Sequence, residues 1–125
     1  MKKTARGFTL VEMLIVLAII GIIAAIAVPQ YSDYVTRSKL TEAFATLSEH
    51  RVKMEQYFQD NRSYVGACAA GTIAPLPTGR YFTYACSNLT ATTFTVTATG
   101  VPAQGTGGFV YTINQANTRT TTTVA

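Results

Sequence analysis

Residues 8–28 form an apolar run of 21 positions in which only Thr9 and Glu12 are clearly polar. As an α-helix the run would extend about 31 Å at about 1.5 Å per residue, which matches the hydrocarbon thickness of a bilayer. Lys2, Lys3 and Arg6 precede it. Basic flanks of this kind stay cytoplasmic, so everything after the run is expected on the far side of the membrane. Gly21 and Pro29 are its weak points, and a kink or local unwinding is expected near them, because proline removes a backbone donor and crowds the preceding turn.

Beyond Pro29 the chain reads as an ordinary soluble domain. Of its 125 residues, about 95 remain for this head, so its core is small and gains from a staple. Leu40, Ala43, Phe44, Leu47, Met54, Tyr57 and Phe58 recur at spacings of three, four and seven, the mark of one apolar helix face over residues 31–60. Asp60-Asn61 marks the exit. Residues 61–79 read as a loop. Four strands are predicted at 80–86, 91–99, 108–114 and 119–124. Phe94, Val96 and Ala98 alternate onto one buried face, and Phe109, Tyr111 and Ile113 repeat the pattern. The aromatics Tyr57, Phe58, Tyr64, Tyr81, Phe82 and Tyr84 are expected to fill a helix–sheet seam. The fold class is therefore α+β, with one long N-terminal helix at about 8–60 packed on an antiparallel meander of about four strands. The implied domains are a leader at 1–7, a membrane or filament helix at 8–29 and a head at 30–125.

The net charge of +4 falls to +1 if Lys2, Lys3 and Arg6 are removed. After Arg62 only Arg80 and Arg119 are charged, and no acid follows Asp60. A neutral, Thr-rich surface without a basic block argues poorly for nucleic-acid binding. Cys68 and Cys86 are the two cysteines. In an exported chain such a pair usually bridges, and the closed loop is worth about 3 kcal/mol in the chain-entropy account; two free buried thiols are the alternative. No metal or cofactor is expected, with His50 the only other soft ligand. His50 is expected on a solvated helix face, and one histidine makes no convincing catalytic set. Asn88-Leu89-Thr90 fits a glycosylation pattern that is common by chance.

The informative stretch is Arg6-Gly7-Phe8-Thr9-Leu10-Val11-Glu12. A basic leader ends in glycine directly before the apolar run, and a carboxylate sits inside that run. In hydrocarbon an unpaired carboxylate costs several kcal/mol and is by default functional. Cleavage after Gly7 would create an ammonium on Phe8, about one helical turn from Glu12 and at the positive end of the helix dipole. Glu12 can neutralise this amine, its own or a neighbour's. A neighbour's amine would set register between otherwise slippery helices.

These residues, followed by Pro29-Gln30-Tyr31, resemble the class III signal of type IV pilins and the related pseudopilins. The match covers about the first 35 residues closely. The length and the ending from Tyr111 to Thr123 look most like short PilE-type pilins. The resemblance implies that a prepilin peptidase cuts between Gly7 and Phe8 and methylates Phe8. It implies that Glu12 guides assembly at an inner-membrane platform, and that pilin subunits then polymerise through the apolar helix into an extracellular filament serving adhesion, twitching motility or DNA uptake. No enzymatic activity is implied. Many pilins close a C-terminal loop with cysteines, whereas here both lie earlier and the chain stops in a strand.

Several other readings stand beside this one. An ordinary secretory signal could be cut at Ala25-Ile26-Ala27, or the leader could remain as a plain anchor. A type II secretion pseudopilin shares the same N-terminal physics, but pseudopilins commonly bind calcium, and the acid-free C-terminal region offers no carboxylates for it. A DNA-receptor pilin would have to draw on Arg51, Lys53, Arg62, Arg80 and Arg119.

Overall fold

The computed structural model describes residues 7–123. Helix α1 runs Leu10–Asn61, followed by β1 (Phe82–Ser87), β2 (Thr95–Gly100), a 3-10 turn at Pro102–Gln104, β3 (Phe109–Asn114) and β4 (Arg119–Thr123). The chain divides into two units, the first ending at Val35 and the second beginning at Thr36.

In the first unit every residue from Gly7 to Tyr34 is exposed, and the helix here is long and apolar enough to cross a membrane. Thr9 caps it. Its Oγ1 accepts the Glu12 N–H at 3.2 Å, and its carbonyl accepts the Met13 N–H at 3.2 Å. Thr9 and Glu12 thus stand at the Ncap and N3 positions of a T-x-x-E start. Of the kink or local unwinding expected near Gly21 and Pro29, the unwinding does not occur, since the helix continues through both. Proline takes away one donor, and the surrounding apolar turns keep the remainder. Ser32 Oγ donates to the Pro29 carbonyl at 2.8 Å.

In the second unit the sheet is a meander in the order β1-β2-β3-β4, with every neighbouring pair antiparallel. Its inner face carries Phe82 and Tyr84 from β1, Val96 and Ala98 from β2, and Tyr111 and Ile113 from β3. These bury against Ala43, Leu47 and Met54 of α1, with Tyr64 and Phe94 beside them. Strand alternation is as expected at Phe94, Val96 and Ala98, whereas Phe109 is only half-buried. Phe44 remains exposed at its outer edge while its ring packs on Tyr111 at 4.7 Å.

Three strands start later than expected, β3 by one residue and β1 and β2 for local reasons. The Tyr81 N–H is given to Glu42 Oε1 at 3.0 Å rather than to a strand neighbour, so β1 begins at Phe82. Thr90 closes a turn, its Oγ1 accepting from the Thr92 and Thr93 N–H groups at 3.2 and 3.0 Å, so β2 begins at Thr95. Position 124, the expected end of β4, lies outside the described residues, as do the leader residues Lys2, Lys3 and Arg6.

Cys68 and Cys86 form a disulfide with a Cα–Cα distance of 6.4 Å. It ties the loop after α1 to the end of β1. His50 is not on a solvated face; it is 2% exposed. Ala43, Leu47, His50 and Met54 are the buried residues of α1, and their spacing of four, three and four is one helical stripe.

Candidate functional site

The segment in which processing is expected is exposed. Gly7 and Glu12 are exposed, and Phe8 is 79% exposed. Glu12 lies in the first turn of α1, where a negative charge is favoured by the dipole. Its side chain takes no ion-pair partner among the described residues, while its N–H is held by Thr9. The capping role of Thr9 was readable from its spacing to Glu12 and escaped the sequence reading.

A second cluster sits where α1 meets the start of β1 and the turn before β3. The Lys39 ammonium lies 5.5 Å from the Tyr81 ring centre and the Arg80 guanidinium also 5.5 Å from it. Lys39 Nζ donates to the Gln104 carbonyl at 2.8 Å, and Glu42 holds the Tyr81 backbone. Thr106, fully buried, donates from Oγ1 to the Tyr81 carbonyl at 2.6 Å and accepts the Val101 N–H at 3.0 Å. The ring and its two cations are therefore fixed from both sides. Arg80 is exposed and available to a ligand.

The five basic residues named from sequence part company here. Arg51 pairs with Glu55 at 3.9 Å and Lys53 with Glu49 at 2.7 Å, each one helical turn apart. The Lys53 hydrogen bond and charge hold the Glu49 carboxyl below its usual range. Arg62 sits at the end of α1 with a left-handed backbone, φ 53°. Arg119 lines a small apolar recess with Phe44, Leu47 and Tyr111. Only Arg80 joins the cluster, and Lys39, unnamed from sequence, joins it from α1.

A fully exposed apolar N-terminal helix, a T-x-x-E start directly after Gly7-Phe8, and a four-stranded meander closed on the second half of the same helix define a type IV pilin. Residues 2–28 match the prokaryotic N-terminal methylation motif. Residues 29–108 match the family described as type IV minor pilin ComP, DNA uptake sequence receptor, and the chain belongs to that family. It is 39% identical over 99 residues to the fimbrial protein EcpC of Eikenella corrodens, covering 79% of this chain and 65% of that one. It is 37% identical over 82 residues to a type IV major fimbrial protein FimA of Dichelobacter nodosus, covering 65% and 51%. The chain thus spans between half and two thirds of these relatives' length. Its fold is like that of the non-core minor pilin PilV of Neisseria meningitidis, with a TM-score of 0.61 and 22% identity over 73% of this chain and 90% of that one.

Proposed function

We propose that this chain is a structural subunit of a type IV pilus. A prepilin peptidase cuts between Gly7 and Phe8 and methylates the new amine. The precursor waits in the inner membrane, and the mature chain polymerises with other pilin subunits, through its apolar helix, at an inner-membrane platform into an extracellular filament used for adhesion or twitching motility. The chain performs no chemistry of its own.

One observation carries this reading: the uninterrupted exposure from Gly7 to Tyr34. An apolar surface on all sides of a helix has to be covered, first by lipid and then by other helices. Within the apolar run 8–28 Glu12 is the single acid. Pairing it with the Phe8 amine of a neighbouring subunit removes the cost of an isolated carboxylate and fixes register in one contact. Gly21 and Pro29 are where the helix yields most readily if packing in a filament requires it. Glu12→Ala should reduce the chain's content in sheared filaments by roughly tenfold or more, the loss of one paired buried charge, while the circular dichroism of the head is unchanged. Filaments with normal content of the variant contradict the mechanism. Deletion separates a pilus from a type II secretion pseudopilus: lost twitching or DNA uptake indicates the first, lost enzyme secretion the second.

A second reading is favoured by the Lys39–Tyr81–Arg80 cluster in a chain of the ComP family: the subunit also contacts double-stranded DNA. Arg80 neutralises a phosphate, and Lys39, held by Gln104, adds positive field beside it. For the full chain in detergent micelles, duplex affinity should fall steeply with salt, and Arg80→Ala should flatten the slope of log affinity against log salt by about one. No binding at low salt, or an unaltered slope, removes this reading.

A further inference from the structure

We propose that the reduced chain binds a thiophilic cation, Zn2+ or Cu+, between His50, Cys68 and Cys86, at the place the disulfide otherwise closes. His50 Nε2 lies 3.7 Å from Cys68 Sγ and 3.9 Å from Cys86 Sγ, and the three ligand atoms lie within 4.8 Å of one another. In a tetrahedral zinc site, bonds of about 2.3 Å to sulfur and about 2.1 Å to nitrogen place those two atoms about 3.6 Å apart. The imidazole therefore already stands at ligand distance from both sulfurs. Once the S–S bond is broken, the sulfurs need to part by about 1.7 Å to flank a metal, a change within reach of side-chain rotation.

The surroundings suit a soft ion. Met54 Sδ is 3.9 Å from Cys68 Sγ, and Met54 is fully buried. Two thiolates, an imidazole and a thioether make a donor set that selects Cu+ and Zn2+ over hard cations. His50 is itself buried, so its ring is held in place beside the two sulfurs. Two thiolates cancel the charge of Zn2+ in a largely apolar setting. A cavity of about 310 Å³ lined by His50, Thr46, Leu76 and Pro77 borders the imidazole. The charged groups at its rim, Glu49 and Lys53, already pair with each other.

The redox step balances with a dithiol or phosphine reductant, which gives two electrons to the disulfide and leaves two thiols. Cation binding then forms two metal–sulfur bonds and releases the two thiol protons. Exchange with an added small-molecule disulfide, which takes the two electrons and two protons and leaves as two thiols, restores the Cys68–Cys86 bond and frees the ion. Metal and disulfide are thus alternative staples for the same loop, and a loaded chain resists premature oxidation.

The test uses the full chain in detergent micelles, reduced with a water-soluble phosphine and desalted without oxygen. Titration with Co2+ should give one equivalent of tetrahedral visible bands with thiolate charge transfer, displaced by Zn2+, and the oxidised chain should show none. Cu+ is followed by competition with a chromogenic chelator. His50→Gln should weaken both ions by roughly tenfold or more. Met54→Leu separates the occupants: weakened Cu+ with unchanged Zn2+ assigns the thioether to copper, and two unchanged affinities assign zinc with water. X-ray absorption of the Zn2+-loaded wild type supplies a reading independent of any variant's folding, with two sulfur and one imidazole ligand expected. Absence of the cobalt spectrum in the reduced wild type, a zinc shell lacking either sulfur or imidazole, or equal affinity in a folded His50→Gln chain overturns the proposal.

Discussion

Glu12 is held at its backbone by Thr9 and has no ion-pair partner at its carboxylate among the described residues, and the difference decides what a substitution there can report. Because Thr9 Oγ1 binds the Glu12 N–H and not its side chain, Glu12→Ala leaves that capping bond in place, and a change in assembly reads the carboxylate itself. His50 is the other residue whose charge state matters. Burial lowers its pKa in the folded chain, with the Lys53 charge adding to the effect. Unfolding therefore takes up a proton between the folded and unfolded values. Stability is full above the unfolded histidine range near about pH 6.5 and is lost as pH falls through it, by at most about 1.4 kcal/mol per pH unit. The head should melt at lower temperature at about pH 5.5 than at about pH 7.5, and His50→Gln should flatten that difference. Equal wild-type melting temperatures would show that His50 titrates normally. The burial of His50 was legible, because its spacing to Ala43, Leu47 and Met54 is that of a helix stripe. The polar identity of the side chain hid what the periodicity said.

At the scale of elements, the helix and the four strands were readable from periods of 3.6 and 2, and the antiparallel order followed from short connections. The strand starts were not, because they depend on who accepts one N–H: Glu42 at Tyr81, and a threonine hydroxyl at Thr93. The Lys39–Tyr81–Arg80 cluster was equally out of reach, since it exists only when the start of β1 docks on α1. The tightest point of the sheet is the end of β2. A Cβ on Gly100 would lie 1.8 Å from the Thr106 carbonyl oxygen and 2.6 Å from its carbon, both backbone atoms that cannot rotate away. Gly100→Ala should cost roughly 3 kcal/mol or more, at or beyond the upper end of overpacking effects, and should loosen the turn whose Thr106 hydroxyl holds Tyr81. Urea unfolding measures the cost, and a midpoint within error of wild type would refute this account of the turn.

For the whole molecule, the two units carry different duties. The second has its own buried core and a disulfide staple, so the head keeps its fold whatever surrounds the helix. The first has no buried side chain among its described residues and depends on lipid or on other subunits for cover. In the proposed function, cleavage before Phe8 would connect these states: it would remove the basic leader and create the amine that Glu12 can pair with. Mass spectrometry of sheared surface filaments tests this most directly. The account predicts a chain beginning at N-methylated Phe8, with Cys68 and Cys86 joined. A filament chain that begins at Met1 or Val28, or filaments that lack this chain altogether, would contradict it.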